Sequence, residues 1–307
     1  MKAKKWLIAG LAFILLAVIL LFLPVYGKNQ EFRITWLDVG QGDAILLTYA
    51  NQTVLIDGGG SPTNLTGKGE YVVAPYLRSL GIDTLDYVIS SHPDADHIGG
   101  LFAVLDQIRV EKLLLFPHVK EVALQEQLLL LAENRGVPVE SIFAGKTITL
   151  GDAVQIKVLA PTESEQFGEE TTNEGSLVLK ISYGDLAILT CGDLQGEEQM
   201  ALLQKVDPAE LAEIDILQMP HHGSRNSYDQ RWYQAFQPEA VIISVGKYNS
   251  YGHPDGKIID YWQKRGAKVF RTDLDGAIRI TSDGKTIDCL LYTSPMPIIW
   301  PISTPIM

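Results

Sequence analysis

Apolar residues in this chain fall into short runs of four to six, and in the second half these runs alternate with stretches of helical period. Strand-like runs at Phe32–Leu37, Ala44–Tyr49 and Thr53–Ile56, separated by turns at Gly40-Gln41-Gly42 and Asn51-Gln52, predict an antiparallel start. A helical pattern over Glu70–Leu80 leads to an apolar stretch (Leu85, Tyr87, Val88, Ile89), a polar loop, and a second helix reaching Ile108. Further strands are predicted at Leu113–Phe116, Val139–Phe143, Val154–Leu159, Leu177–Ser182 and Leu186–Thr190, with an apolar helix around Ala123–Asn134. From there the pattern alternates: helix near Glu197–Leu203, strand Ile214–Gln218, helix near Asp229–Phe236, strand Ala240–Val245, helix Lys257–Lys264, strand Lys268–Arg271 and a closing strand near Ala277–Thr281. Strands first and strand–helix alternation later predict an α+β architecture: two mixed sheets packed face to face with helices outside.

The two ends stand apart from this pattern. Lys2, Lys4 and Lys5 precede an uncharged apolar run of 18 residues, Trp6 to Leu23, closed by Pro24. That length lies at the lower edge of a membrane span, and the preceding charge predicts an N-terminus inside and the remainder outside. Residues 1–27 therefore read as an uncleaved anchor, with a cleaved secretory signal as the alternative; the lack of an Ala-x-Ala site favours the anchor. The body spans 28–290, and 291–307 is an apolar, proline-rich tail with neither helical nor strand pattern and no function assigned to it. The 307 residues carry a formal charge of −12, or about −15 without the three N-terminal lysines, which argues against tight non-specific binding to nucleic acid through a basic surface. Two cysteines, Cys191 and Cys289, are too few for a disulfide framework.

The candidate chemistry sits in the loops that follow strands. Ser91-His92-Pro93-Asp94-Ala95-Asp96-His97-Ile98-Gly99-Gly100 places four metal-ligating side chains within six residues, between a strand and a helix. On a turning loop these can face two adjacent centres, and a pair of metals roughly 3.5–4 Å apart can hold a hydroxide and clamp attacking and leaving oxygens. Three more strand ends carry similar groups: Cys191-Gly192-Asp193-Leu194, Met219-Pro220-His221-His222-Gly223-Ser224 and Asn249-Ser250-Tyr251-Gly252-His253-Pro254. Five of the six histidines lie in these loops, His118 being the exception, a clustering that core packing does not produce. Asp57, in Asp57-Gly58-Gly59-Gly60, lacks the Gly-Lys-Ser/Thr element of a phosphate loop and reads better as a group orienting a ligand histidine. Asp38 and Asp43 could each be ligand or turn residue, Cys191 reads as a small buried residue, and Ser224 as no nucleophile.

The loop His92-x-Asp94-x-Asp96-His97 resembles the HxHxDH motif of metallo-β-lactamase-fold hydrolases, with Asp94 in place of the second histidine. Together with Leu37-Asp38-Val39-Gly40-Gln41-Gly42-Asp43-Ala44, Leu55-Ile56-Asp57-Gly58-Gly59, Gly192-Asp193-Leu194, His221-His222-Gly223-Ser224 and Gly252-His253-Pro254, it is similar to the metallo-β-lactamase-like domain of ComEC-type competence proteins over about residues 33 to 282. The resemblance implies an αββα sandwich with the site at one sheet edge and two divalent ions, Zn2+ or Mn2+. It implies His92 and Asp94 toward one ion, Asp96 and His97 toward the other, and Asp193 between them. One of His221 and His222 completes a shell, His222 being preferred. Family members often have a third ligand to the first ion, with no obvious histidine for it here; Asn173 is a candidate, and Glu174 reads as solvated. Competence members carry many membrane spans and a further soluble domain, whereas this chain has one candidate span, so a DNA-channel role is not expected.

The expected chemistry is metal-dependent hydrolysis of phosphodiesters, nuclease-type, at the outer face of the membrane, with small or polymeric phosphoesters, DNA included, as substrates and no obligate protein partner. Asp96 and Asp193 would position a metal-held hydroxide, and His253 or the free member of His221 and His222 would protonate the leaving group. Asp94 hardens the ligand set, toward zinc or manganese and toward phosphoesters. Hydrolysis of carbon esters, lactones or amides on the same site, or a non-catalytic metal-containing binding module, are the alternatives.

Overall fold

The computed structural model describes residues 31–61, 63–117 and 122–292 and the backbone of 298–300. The anchor or signal segment, His118 and most of the tail lie outside the described residues. Among the described residues no helix is long and apolar enough to cross a membrane.

In chain order the strands are β1 (Phe32–Trp36), β2 (Ile45–Tyr49), β3 (Gln52–Ile56), β4 (Thr84–Leu85), β5 (Tyr87–Ser90), β6 (Arg109–Val110), β7 (Leu113–Leu115), β8 (Val139–Ser141) and β9 (Thr147–Leu150). They continue as β10 (Val154–Ala160), β11 (Val178–Tyr183), β12 (Leu186–Thr190), β13 (Ile216–Gln218), β14 (Ala240–Ile243), β15 (Lys268–Arg271), β16 (Ala277–Ser282), β17 (Ile287–Tyr292) and β18 (Ile298–Trp300). One nine-stranded sheet has the order β18-β17-β16-β1-β2-β3-β5-β7-β8, a second of seven strands the order β15-β14-β13-β12-β11-β10-β9, and β4 and β6 form a small pair. Each large sheet is antiparallel at one side and becomes parallel at the other, beyond β3 in the first and beyond β12 in the second.

Strand sequences explain the layering. Successive side chains of a strand point to opposite faces, so a sheet covered on both sides needs apolar residues at every position. In β12, Leu186 and Ile188 enter the core between the sheets while Ala187 and Leu189 face the helices. In β14, Ala240 and Ile242 point inward, Val241 and Ile243 outward. The first sheet repeats the arrangement with Val54 and Ile56 against Leu55. The central cluster thus draws on both sheets, and two flanking clusters seat helices: Ile98, Leu101, Val104 and Leu105 of Ala95–Gln107 on one side, Ile258 and Trp262 of Gly256–Lys264 on the other. The result is the four-layered αββα sandwich expected.

Several boundaries differ for local reasons. The β2–β3 hairpin turns at Ala50 and Asn51, both at positive φ (51° and 67°), which frees Gln52 to pair with Tyr49 as the first residue of β3. The Glu70–Leu80 pattern is realised as a π-helical turn, Gly69–Val73, running into an α-helix, Ala74–Ser79. A strand follows the closing strand expected near Ala277–Thr281, with Ile287, Cys289 and Leu291 alternating into the central core as β17. The 291–307 tail is not patternless, since β18 within it pairs with β17, Cys289 opposite Trp300. Prolines on either side of the Ile-Ile-Trp run hide a strand too short to show a period. Cys191 and Cys289 are both free and buried, in different clusters.

The first turn of Ala95–Gln107 lies against the loop after β3 at backbone contact. Gly58 N–H donates to His97 O (2.7 Å) and Gly100 N–H to Gly59 O (2.6 Å). A Cβ on Gly100 would stand 1.9 Å from Gly58 O, so both glycines serve close packing of backbone on backbone, not phosphate binding. Gly100→Ala is expected to destabilise the fold by about 1–3 kcal/mol. Gly256→Ala, which opens a helix and meets no atom within 4 Å, should stay within about 0.5 kcal/mol of the parent. Chemical denaturation of both checks the pair.

Candidate metal centre

Parallel strands gather their loops at their carboxyl ends, and here those ends converge from both sheets. β3 delivers Asp57, β5 delivers Ser91 and His92, and the helix that follows carries Asp96 and His97 in its first turn. From the second sheet β12 delivers Asp193, β13 delivers His221 and His222, and β14 delivers Ser244. Backbone geometry is bent to suit. Asp57 (φ 58°), His221 (φ 51°) and His222 (φ 54°) are left-handed without being glycine, a conformation costing of order 1 kcal/mol or more each that clusters at functional sites.

Four imidazoles surround one carboxylate. His97 Nε2 is 3.1 Å and His222 Nε2 3.6 Å from Asp193 Oδ1, while His221 Nε2 is 3.7 Å and His92 Nε2 3.9 Å from Asp193 Oδ2. Each oxygen of Asp193 therefore faces its own histidine pair. Asp96 Oδ2 lies 3.4 Å from His222 Nε2, on the Oδ1 side, and Asp94 Oδ2 lies 3.8 Å from His92 Nε2, on the Oδ2 side. The His97 and His222 Nε2 atoms are only 3.3 Å apart.

Partners on the far side of each ring determine where the lone pairs point. His222 Nδ1 is 2.9 Å from Ser244 O, which only accepts, so Nδ1 carries the proton. His97 Nδ1–H donates to Asp57 Oδ2 at 2.9 Å. Ser91 Oγ gives its own proton to Asp57 at 2.5 Å and so accepts from His92 Nδ1–H at 3.1 Å. Gln195 donates through Nε2 to Glu174 Oε1 (3.1 Å) and turns Oε1 to His221 Nδ1 (2.8 Å). Each of the four rings, when neutral, therefore presents an Nε2 lone pair to Asp193. His92 Nε2 and Asp193 Oδ1 are buried without a hydrogen-bond partner. Orphaned acceptors packed this closely fit a cation and little else.

The electrostatics point the same way. Burial alone would lower His97 and His222, yet Asp193 and the neighbouring carboxylates outweigh it, holding His97 well above its ordinary value and His222 at about 9. Protons on two Nε2 atoms 3.3 Å apart repel; a divalent ion satisfies both nitrogens and Asp193 at once. Burial would raise Asp193, and His222 and His97 instead hold it well below the usual carboxylate range. Burial beside His97 pushes His92 down to about 3, and burial also lowers His221.

Residues named from sequence divide as follows. His92, Asp94, Asp96, His97, Asp193 and His222 all come together, and His221 joins them beside Asp193 Oδ2. His253 stands at the mouth, its ring centroid 5.5 Å from His221 and 6.4 Å from His222. Burial and those two rings lower it to about 4, which opposes a resting protonated state suited to a general acid. Of the two hairpin aspartates, Asp38 is exposed and accepts locally from Gly40 N–H, whereas Asp43 is buried. Asp43, His97, Asp193 and His222 each offer a donor atom, all within 4.8 Å of one another. Asp43 nonetheless stands 3.9 Å from the Nδ1 edges of His97 and His222, behind the lone pairs, held by Gln218 Nε2–H at 2.6 Å. Burial raises it to about 6. Ser91, Gln195, Gln218 and Ser244 were not singled out by sequence; an amide or hydroxyl carries no ligand signature, and only the strand-end position of Ser91 and Ser244 hints at them. Glu174 is neither ligand nor simply solvated, since it fixes Gln195. Ser224 caps the following turn by accepting from Asn226 N–H.

Comparison with known proteins places this geometry. Residues 37–247 match the model of the metallo-beta-lactamase superfamily. The chain is 32% identical over 266 residues to ComE operon protein 3 of Bacillus subtilis, covering 82% of this chain and 33% of that protein. It is 29% identical over 268 residues to competence protein ComA of Neisseria gonorrhoeae, covering 87% of this chain and 35% of that one. The chain thus spans about a third of the length of these curated relatives. A mutant of CmlA beta-hydroxylase shares the fold, with a TM-score of 0.51 at 12% identity over 81% of this chain and 53% of that one. The chain belongs to the metallo-beta-lactamase superfamily of metal-dependent hydrolases and is similar to the ComEC-type competence proteins within it.

Proposed function

We propose that the chain is a dinuclear phosphodiesterase of nuclease type. The observation that carries this reading is Asp193, each of whose oxygens faces a separate pair of imidazole lone pairs. His97, His222 and Asp96 would hold one divalent ion with Asp193 Oδ1; His92, His221 and Asp94 would hold the other with Oδ2. Bound there, two zinc or manganese ions supply Lewis acidity and an activated water. Asp57, Ser244, Ser91 and Gln195 keep the imidazoles oriented so that no side chain must reorganise during reaction. Asp94, which burial raises above its ordinary value, is the carboxylate that would take a proton from an entering water. Burial would raise Asp96 too, but His222 and His97 hold it below the usual carboxylate range and keep it ionised as a ligand. His253, neutral at the mouth, accepts a hydrogen bond or proton from the substrate side. The oxygen-rich set supports a phosphoester over a carbon ester, and relatives named for competence support a nucleic acid as the polymer. The apolar run Trp6–Leu23 behind three lysines supports an anchor with the body on the outer face.

Metal content of the full chain, measured with zinc- and manganese-dependent hydrolysis of bis-p-nitrophenyl phosphate, tests the reading. Near two ions per chain are expected, with Asp193→Ala losing both and at least about a hundred-fold in turnover. Turnover of p-nitrophenyl acetate or a lactone but of no phosphodiester would replace it by the carbon-ester reading. Gln195→Leu frees the His221 ring alone, so one ion should bind about 10- to 100-fold more weakly while the other is retained; equal weakening of both would contradict the pairing around Asp193. For the anchor, protease added to intact spheroplasts should degrade the body, and protection of the body would overturn the outward placement.

A further inference from the structure

The loop between β14 and the helix Gly256–Lys264 holds its most exposed side chains beside the metal centre. Tyr248 is 90% and Tyr251 63% exposed, so one loop presents two aromatic side chains to solvent. The Tyr251 ring lies on His253, centroids 5.6 Å apart and planes inclined by only 25°, and His253 in turn adjoins His221 and His222. Lys247 Nζ stands 5.8 Å from the centre of the Tyr248 ring. The loop is fastened at both ends: Asn249 Nδ2 donates to Gly246 O and His253 O (2.8 Å each), and Asn249 Oδ1 accepts from His253 N–H at 3.0 Å. Its aromatic faces are therefore displayed on a braced turn.

We infer that Tyr248 and Tyr251 form a stacking platform for bases of single-stranded nucleic acid next to the scissile phosphodiester, with Lys247 beside the backbone phosphate. The inference rests on the phosphodiesterase reading above and specifies its substrate. Two aromatic faces and a cation in one braced loop, adjoining imidazoles that face the phosphate site, match the pattern by which unpaired strands are held: stacking on aromatic rings with a positive charge along the backbone. A duplex keeps its bases stacked within itself and presents phosphates, and a formal charge of −12 does not favour binding through phosphates alone. Affinity must then come from ring contact, worth about five- to a hundred-fold per stacked base.

Fluorescence anisotropy with the full chain, using a labelled twelve-residue oligothymidylate and an abasic strand of the same length as probes, tests this. The oligothymidylate is expected to bind at least about ten-fold more tightly than the abasic strand. In the double variant Tyr248→Ala, Tyr251→Ala that preference should vanish, while Tyr248→Phe, Tyr251→Phe keeps it. Equal binding of the two strands, no binding of either, or an alanine variant that binds oligothymidylate like the parent would each overturn the platform. The two readings fail separately: base-dependent binding without phosphodiester turnover sinks the catalytic reading alone, and turnover with base-independent binding sinks the platform alone. Circular dichroism of the variants, whose altered side chains lie on the surface, confirms that each is folded.

Discussion

The rest of the site is arranged around the burial of Asp193 between four imidazoles. A carboxylate and several rings taken out of water lose solvation that neutral packing does not restore, and unpaired acceptors in a low dielectric are costly. The fold meets this on one side only. Every Nδ1 has a fixed acceptor, in Asp57, Ser91, Gln195 and Ser244 O, while the Nε2 atoms and Asp193 Oδ1 face one another across a few ångströms. Such an arrangement suits a cation, which satisfies the Nε2 atoms and Asp193 together without protons crowded between His97 and His222. The left-handed backbone at His221 and His222 belongs to the same logic, since consecutive residues on one turn send their rings to opposite oxygens of Asp193.

The anchoring groups come from elements that share little else. Asp57 and Ser91 lie on adjacent parallel strands of the first sheet, and Ser91 N–H donates to Asp57 Oδ1 at 2.8 Å, so the acceptor of the His97 proton is itself held by the β5 end. Ser244 closes β14 of the second sheet. Hydrogen bonds also cross between the sheets: Trp36 Nε1–H of β1 donates to Gln218 Oε1 of β13, whose Nε2–H holds Asp43. Packing of the two sheets and geometry of the centre are therefore one problem, because a shift of either sheet displaces one histidine pair relative to the other.

Much of this was legible in the sequence, for reasons that also mark where legibility stops. Doubly covered strands such as Leu186–Thr190 have a continuous apolar run, and the observed boundaries match the pattern there. Histidines and aspartates after such strands are conspicuous because strand ends are where loops converge. His221 and His222 could not be apportioned in advance, since neighbours in sequence normally diverge and here backbone strain brings both in. Asp38 and Asp43 carry equal signals in sequence; only the fold buries one and exposes the other. Gln195 and Gln218 have no signal at all, because a side-chain amide acquires its role from the acceptor and donor it meets. The short strand β18 was hidden by its flanking prolines.

Charge sets the last condition. Five carboxylates, Asp43, Asp57, Asp94, Asp96 and Asp193, stand in or against the centre, and two divalent ions would offset about four of their charges. The phosphodiester proposed as substrate would then meet a largely neutralised centre, although the chain carries −12 overall. Repulsion from the acidic surface reaches only about 8 Å at physiological salt. Net charge therefore offers no long-range attraction for a polyanion, and contact at short range would have to hold a polymeric substrate. Under the proposals above, the strand ends would supply the chemistry at the phosphorus, and the braced loop before the helix Gly256–Lys264, with Tyr251 stacked on His253, would make that contact. On these proposals, selectivity in an acidic body would rest on short-range shape and stacking rather than on field.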